Sequence, residues 1–188
     1  MPSTKTFATL LIFTFCLVTA CQTPSDDGSA AEESAHVHEP APAGGEEQKK
    51  PLSPHTTAMA NIGDTHVHID YSSPGVRGRV IWGGLVAYDQ IWVAGAHNAT
   101  WVEFYDDVKV NSNDVPKGKY ALFLIPGREE WTVVLNQNFN QHLTDDYDPA
   151  LDVLRFTVQP EFVEEVQESL SWKVVPGDGN RGQITFAW

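Results

Sequence analysis

From about residue 58 to residue 188 the chain consists of short apolar runs separated by Gly, Pro, Asn and Asp. Every second residue from His66 to Tyr71 is apolar. This alternation predicts a strand with Val67 and Ile69 facing a core and the polar residues facing away. The run 121–125 is apolar at every position, as expected of a central strand that is covered on both faces. The pattern predicts an all-β fold.

The apolar runs predict eleven strands and hardly any helix. Helical periodicity is poor, and only residues 160–170 favour a short helix. Many short strands over roughly 130 residues indicate a single antiparallel β-sandwich, of a size that one core can stabilise. The predicted strands are 65–71, 79–82, 91–93, 99–105, 108–110, 119–125, 131–136, 153–159, 162–168, 171–175 and 183–188.

Residues 1–20 have the layout of an export signal peptide. A lysine precedes an apolar run from Phe7 to Val18, which is too short to span a bilayer comfortably. Residues 18–21 (Val-Thr-Ala-Cys) fit a bacterial lipobox, so we expect cleavage before Cys21 and lipidation of that cysteine. Several acyl chains on one residue give a stable membrane anchor. The alternative is a secreted protein with an incidental cysteine at the cleavage site.

The composition divides the remainder into a tether and a domain. Residues 21–57 comprise the lipidated cysteine and a stretch rich in Ser, Ala, Glu, Pro and Gly without aromatic residues. This stretch predicts a disordered acidic linker before the β-sandwich domain at 58–188. The domain contains no cysteine, so it has neither a disulfide nor a thiol nucleophile.

The net charge and the residue after Cys21 indicate where the protein lies in the cell and which partners it can have. The net charge of −13 argues against binding to nucleic acid. Gln22, rather than an aspartate, follows Cys21, which favours the outer membrane, facing the periplasm or the cell surface. We therefore expect a cell-envelope protein whose partners are the membrane, through the lipid, and an unknown small molecule or envelope protein.

Several segments resemble a known family of exported bacterial proteins. These are 71–86 (YSSPGVRGRVIWGGLV), 95–100 (GAHNAT), 115–127 (VPKGKYALFLIPG) and 130–136 (EWTVVLN). Together they are similar to the domain of unknown function 2911. The resemblance implies an envelope location and one β-rich domain, and it implies no established activity.

Two loops carry candidate ligand-binding residues. Arg77 and Arg79 flank a glycine, and two guanidinium groups on one face can clamp a carboxylate, a phosphate or a sulfated sugar. They can equally be internal salt-bridge partners of nearby acids. Tryptophans beside polar groups suit a sugar or peptide ligand, and they suit a sandwich core as well. The candidates in the second loop are Trp92, His97, Asn98 and Thr100.

The histidines favour a second hypothesis. His66 and His68 project from one face of the predicted strand, and His97 lies in a loop that can approach them. Imidazole suits Cu²⁺ or Zn²⁺, and a third ligand would complete such a site. The alternative is that the pair forms the solvent-facing side of an edge strand.

Signatures of catalysis are missing from the sequence. There is no Gly-x-Ser-x-Gly elbow, phosphate-binding glycine loop or His-Glu-x-x-His motif. The favoured interpretation is a lipid-anchored, non-enzymatic envelope protein that binds a small ligand or partner through loops at one end of the sandwich. The alternative is a periplasmic copper- or zinc-binding protein that uses the His-x-His strand.

Overall fold

Two antiparallel sheets pack face to face. The computed structural model describes residues 8–17 and 51–188. A 3₁₀ helix, η1, spans Pro149–Leu151. The strands are β1 Ala8–Leu17, β2 His55–Ile62, β3 Thr65–Ser72, β4 Trp101–Phe104, β5 Val108–Val110, β6 Asn113–Val115, β7 Gly118–Pro126, β8 Trp131–Asn136, β9 Asp152–Val158, β10 Glu161–Val163, β11 Ser171–Pro176 and β12 Arg181–Ala187.

Hairpins join neighbouring strands within sheet A and within sheet B. Sheet A has the order β11-β12-β1-β5-β6, with β10 also pairing to β1. Sheet B has the order β2-β3-β4-β7-β8-β9. All pairings between these strands are antiparallel. The all-β antiparallel sandwich predicted from the sequence is confirmed.

The main core lies between the two sheets. In β3 the residues at alternate positions, including Val67, Ile69 and Tyr71, are buried, and those between them are half-buried. Val102 and Phe104 of β4 face the same core, as the alternation predicts. From sheet A, Ile184 and Phe186 of β12 complete it. Alternation places one side of each strand in the interior, and that burial is the main favourable term of folding.

The central strand β7 is buried on both faces, as its uninterrupted apolar run predicts. Leu122 and Leu124 belong to the main core. Ala121 and Phe123 point the other way and pack in a second, smaller cluster with Val134. Residues from the loop segments 91–99 and 147 cover that cluster. These loops thereby become part of the structural layer over sheet B.

Several sequence-based boundaries are wrong in detail. The segments 79–82 and 91–93 contain only isolated bridges, at Trp82 and Trp92. Residues 160–170 form no helix, and the strand predicted at 162–168 is reduced to β10. Strands β2 and β6 were not predicted. In β2 the half-buried positions hold Thr56, Ala58 and Ala60, which give little apolar signal. Because β2 begins at His55, the domain starts within the segment predicted as linker.

The apolar run predicted as the core of a signal peptide forms β1. Its backbone pairs with β12 from Leu10 opposite Ala187 to Cys16 opposite Arg181. On its other side it pairs with β10 and, at residues 15–17, with β5. An uncharged apolar run satisfies both a signal peptide and a strand. Cys21 and the linker up to residue 50 lie outside the described residues.

Candidate functional site: a groove at one end of the sandwich

A long connection between β3 and β4, residues 73–100, covers one end of the sandwich. Its start is tied to the segment before β11, because Val76 N donates to Glu168 O at 2.7 Å and Leu170 N donates to Pro74 O at 2.9 Å. Further along, Trp92 exchanges backbone hydrogen bonds with Leu124, so the connection pairs with the central strand β7 beyond the start of β4. These pairings fix the connection to both sheets.

Five of the six tryptophans meet beneath this connection. Trp82 lies edge-on to Trp131, with ring centroids 4.5 Å apart, and Trp92 stacks on Trp188 at 5.6 Å. Trp172 packs against the phenylalanine of β12 that the other rings also contact. The indole N–H groups of Trp82, Trp131 and Trp188 are buried and have no acceptor within the described part of the chain. Unpaired buried donors are rare in proteins, and three of them converge here.

A backbone carbonyl provides a further attachment of the connection to sheet A. Ala94 O accepts hydrogen bonds from Trp172 Nε1 at 3.0 Å and from Thr100 Oγ1 at 3.1 Å. Ala94 and Thr100 are fully buried. Gly95 follows, and a Cβ there would lie 2.7 Å from Thr100 Oγ1. Sheet A, the connection and the start of β4 are therefore joined at one atom, which we call the Ala94 latch.

A groove of about 630 Å³ lies beside this cluster. Its volume is within the range of small-molecule sites. Its walls combine indole and aliphatic surfaces with three cationic or titratable groups. The residues that line this end groove are Pro51, Leu52, Ser53, Pro74, Arg77, Arg79, Leu85, Val86, Trp92, Val93, Gly95, Ala96, His97, Leu143 and Trp188.

The only side chains among these lining residues that carry a permanent charge are those of the two arginines. Within residues 51–188 neither is ion-paired with a carboxylate. Arg79 donates from Nε to Val76 O at 3.1 Å and from one terminal nitrogen to Gly75 O at 2.6 Å. Arg77 donates to Leu52 O, and its backbone N–H donates to a Glu168 carboxylate oxygen at 2.9 Å. Backbone carbonyls position both guanidinium groups without neutralising them.

Left-handed backbone is concentrated at the groove. Seven non-glycine residues of the described chain have a positive φ, and three of them, Arg77 (49°), His97 (66°) and Leu143 (47°), line it. A fourth, Ala94 (52°), forms the latch. Such conformations cost about 1–2 kcal/mol each for side chains with a Cβ and tend to cluster at functional sites.

The structure brings together four of the six predicted ligand-binding residues: Arg77, Arg79, Trp92 and His97. The other two lie elsewhere. Thr100 is buried with its hydroxyl bonded to the latch. Asn98 is exposed and pairs with His142 beside the groove. Asn98 and Thr100 follow His97 in the chain. They hold the segment that carries His97, and they do not line the groove themselves.

Sequence reasoning did not identify Leu143 or Trp188 as part of the groove. Leu143 is brought in by its backbone N–H, which donates to His97 O at 2.8 Å. Trp188 follows β12 and stacks on Trp92. Neither contact has a local sequence signal, because each depends on residues more than 40 positions away.

A polar network anchors the loop that carries Leu143. The Tyr147 hydroxyl donates to Asp152 Oδ2 at 2.8 Å, and Asn136 Nδ2 donates to Asp152 Oδ1 at 2.7 Å. Arg155 Nε also donates to Asp152 Oδ2, at 2.5 Å. Burial, followed by the hydrogen bond to Asp152, raises the pKa of Tyr147. The hydrogen bond to Asp152 raises the pKa of Arg155. The network holds the loop against β8 and β9.

The predicted metal ligands are divided between two places. His66 and His68 lie on the outer face of sheet B, with ring centroids 6.4 Å apart, and His66 Nδ1 is 2.8 Å from Asn61 Oδ1. His97 lines the end groove. In the described part of the chain no three His, Cys, Asp or Glu side chains are grouped to hold a metal ion.

The fold and the groove define an all-β sandwich domain with an aromatic and cationic groove at one end. The sequence model of one family, described as protein of unknown function (DUF2911), matches residues 53–188. The chain belongs to this family. No curated protein and no solved structure matches the chain. None of the described residues form a helix long and apolar enough to cross a membrane.

Proposed function

We propose that this protein is a lipid-anchored domain of the bacterial cell envelope that binds a small organic anion in the end groove, without catalysing a reaction. The observation that carries the proposal is the convergence of Arg77, Arg79, Trp92 and His97, which are separated by up to 20 positions, on one groove of ligand size.

The groove chemistry favours an anionic head and a flat apolar body. Arg77 and Arg79 have guanidinium donors that no described acceptor uses. A carboxylate or phosphate can accept from them in a bidentate manner. Trp92, Trp188 and Leu85 provide aromatic and aliphatic surface on the same groove. The chain has a net charge of −13, so two arginines without carboxylate partners make this groove a place that favours an anion over a cation.

The anchoring part of the proposal rests on residues 1–21. The lipobox ends at Cys21, the residue expected to carry the lipid. The linker of about 30 residues between Cys21 and the domain allows the groove to lie at a distance from the membrane surface. Mass spectrometry of protein purified from host membranes tests this directly. A mature chain that begins at a lipidated Cys21 supports it, and an intact N-terminus contradicts it.

The ligand part is tested with paired probes. We suggest isothermal titration with 2-naphthoate and naphthyl phosphate, and with 2-naphthamide as the neutral counterpart. The anions are expected to bind, and 2-naphthamide is expected to bind at least tenfold more weakly. Affinity for the anions should fall as ionic strength rises, because salt screens the attraction to the arginines. Equal affinity for the acid and the amide would contradict the role of the arginines.

Substitutions locate the binding. Arg79→Gln is expected to weaken anion binding by tenfold or more, since a hydrogen bond to a charged group contributes about 1.5–3 kcal/mol. Arg181→Gln is the matched control, because Arg181 is exposed at the start of β12 and does not line the groove. An equal loss in both variants would indicate general electrostatic attraction instead of a site.

A further inference from the structure

Sheet A contains a strand that the proposed export processing would remove. Residues 8–17 form β1, which lies between β12 on one side and β5 and β10 on the other. Among the described residues of the domain, β12 pairs only with β11 on its other edge, and β5 only with β6. If cleavage precedes Cys21, these two hairpins have no strand between them.

The space that β1 occupies is one strand wide. Neighbouring strands lie about 4.8 Å apart, so β5 and β12 are separated by about twice that distance. Seven consecutive residues of β12, Arg181–Ala187, are in register with β1. Each of these strands presents backbone donors and acceptors toward the space. We call this space the β5–β12 slot.

The floor of the slot is entirely apolar. A small cavity of about 20 Å³ lies between the sheets there, and Val110 and Ile184, the residues opposite Phe15 and Phe13 of β1, line its sheet A side. The remaining lining residues, all from sheet B, are Val102, Phe104, Leu122, Val133, Leu135 and Phe156. Without a strand over it, this interior surface would face water, which is unfavourable for apolar side chains.

We propose that, after residues 1–20 are removed, the β5–β12 slot takes an extended, uncharged apolar segment of another envelope protein as its missing strand. The proposal rests on the proposed export and processing of the chain. The added segment supplies backbone hydrogen bonds to both edges and covers the floor, as in other cases of strand addition to a sheet.

The sequence restricts the occupant to another protein. The linker 22–50 is rich in Glu, Asp, Pro and Gly and contains no apolar run of seven residues. Neither the chain's own linker nor that of a second copy therefore matches the floor. The strand that fits the slot in the structure, Ala8–Leu17, has no charged residue, and this defines the chemistry expected of the partner segment.

The test uses the mature protein purified from host membranes in mild detergent. The probe is a fluorescent peptide with the sequence 8–17, flanked by lysines for solubility. A peptide with the sequence 22–31 is the length-matched control. A second control carries Phe15→Pro and Cys16→Pro, because these two residues are in register with both β12 and β5, consecutive amides point to opposite edges, and proline removes the donor at each. We expect saturable one-to-one binding of the first peptide and at least tenfold weaker binding of both controls.

The unprocessed chain separates this proposal from the proposed function. Cys21→Ala blocks lipidation and leaves residues 1–20 attached, so β1 fills the slot and the peptide should not bind. In β12, the amides that point toward β1 should exchange slowly in this variant and fast in the mature chain until peptide is added, whereas the alternate amides that face β11 should stay slow in both. Protected amides and no peptide binding in the mature chain would show that β5 and β12 close on each other, which overturns the proposal. An uncleaved native chain, seen by mass, would overturn it together with the anchoring.

Discussion

The Ala94 latch makes a quantitative prediction about stability. Thr100→Val removes one of the two hydrogen bonds to Ala94 O, and Trp172→Phe removes the other. Each single variant leaves the carbonyl with one donor. Thr100→Val should cost about 1 kcal/mol of unfolding free energy for the lost hydrogen bond. Trp172→Phe should cost about 2 kcal/mol, because it also leaves a space in a fully buried site.

The double variant should cost more than the sum. With both donors gone, the buried carbonyl of Ala94 has no described side-chain partner, and such a group costs about 1–3 kcal/mol. We therefore expect a coupling energy of about 1–2 kcal/mol in a double-mutant cycle. The total, about 4–5 kcal/mol, is a large part of the stability of an ordinary domain.

The assay is urea unfolding followed by far-ultraviolet circular dichroism, since the variants change tryptophan fluorescence. Only variants with unchanged m values are compared. Trp131→Phe combined with Thr100→Val is the matched control, because the Trp131 indole has no acceptor and should show no coupling. If the losses of unfolding free energy in the Thr100–Trp172 cycle are additive, the two donors do not compensate for each other at the Ala94 carbonyl, and the reasoning is refuted.

The remaining predictions concern alkaline pH and two glycines. Because the folded-state pKa of Tyr147 is raised above the ordinary tyrosine value of 10.0, its contribution to stability is complete below pH 10 and is lost as pH rises through the folded pKa. Tyr147→Phe should therefore reduce the loss of unfolding free energy above pH 10, and an unchanged pH profile would contradict this. Gly182→Ala should lower stability by about 1–3 kcal/mol, because its Cβ would lie 2.6 Å from Ile62 Cδ1. Gly179→Ala meets nothing within 4 Å and should cost only about 1 kcal/mol for its φ of 61°, so thermal unfolding should rank Gly182→Ala as the less stable variant.

The sequence alone predicts the strands in which large apolar residues are clearly distinguished from polar ones. The strand 131–136 was predicted with its bounds, and β3 has the predicted alternation, because large apolar and polar residues differ strongly in their preference for the interior. Strand β2 was missed because threonine and alanine occupy its half-buried positions. The segments 79–82 and 91–93 look like strands, but they form only isolated bridges, and their half-buried tryptophans are held mainly by contacts with other aromatic rings.

The site was predictable only in part. Arg77, Arg79, Trp92 and His97 were singled out by residue type, and the structure brings them to one groove. What joins them is long-range: a bridge of residue 75 to residue 169, the latch, and the Leu143–His97 hydrogen bond. Left-handed backbone at non-glycine residues has no reliable signal in a single sequence. The same limit applies to the histidine trio, whose members the chain places in two different regions.

The stacked pair of indoles on the groove gives the protein an optical property of its own. Trp92 and Trp188 lie nearly parallel, with 14° between their planes, and close enough for their electronic transitions to couple. Trp82 lies 5.8 Å from Trp92 and 5.9 Å from Trp188, at 75° and 89° to their planes. Coupled chromophores with skewed transition dipoles give a signed pair of circular-dichroism bands, which changes when one of these rings shifts or its polarisable surroundings change. Trp101, the sixth tryptophan, lies apart on the outer face of sheet B under Lys119 and adds a constant background. Entry of any molecule beside the pair would therefore be visible without a label.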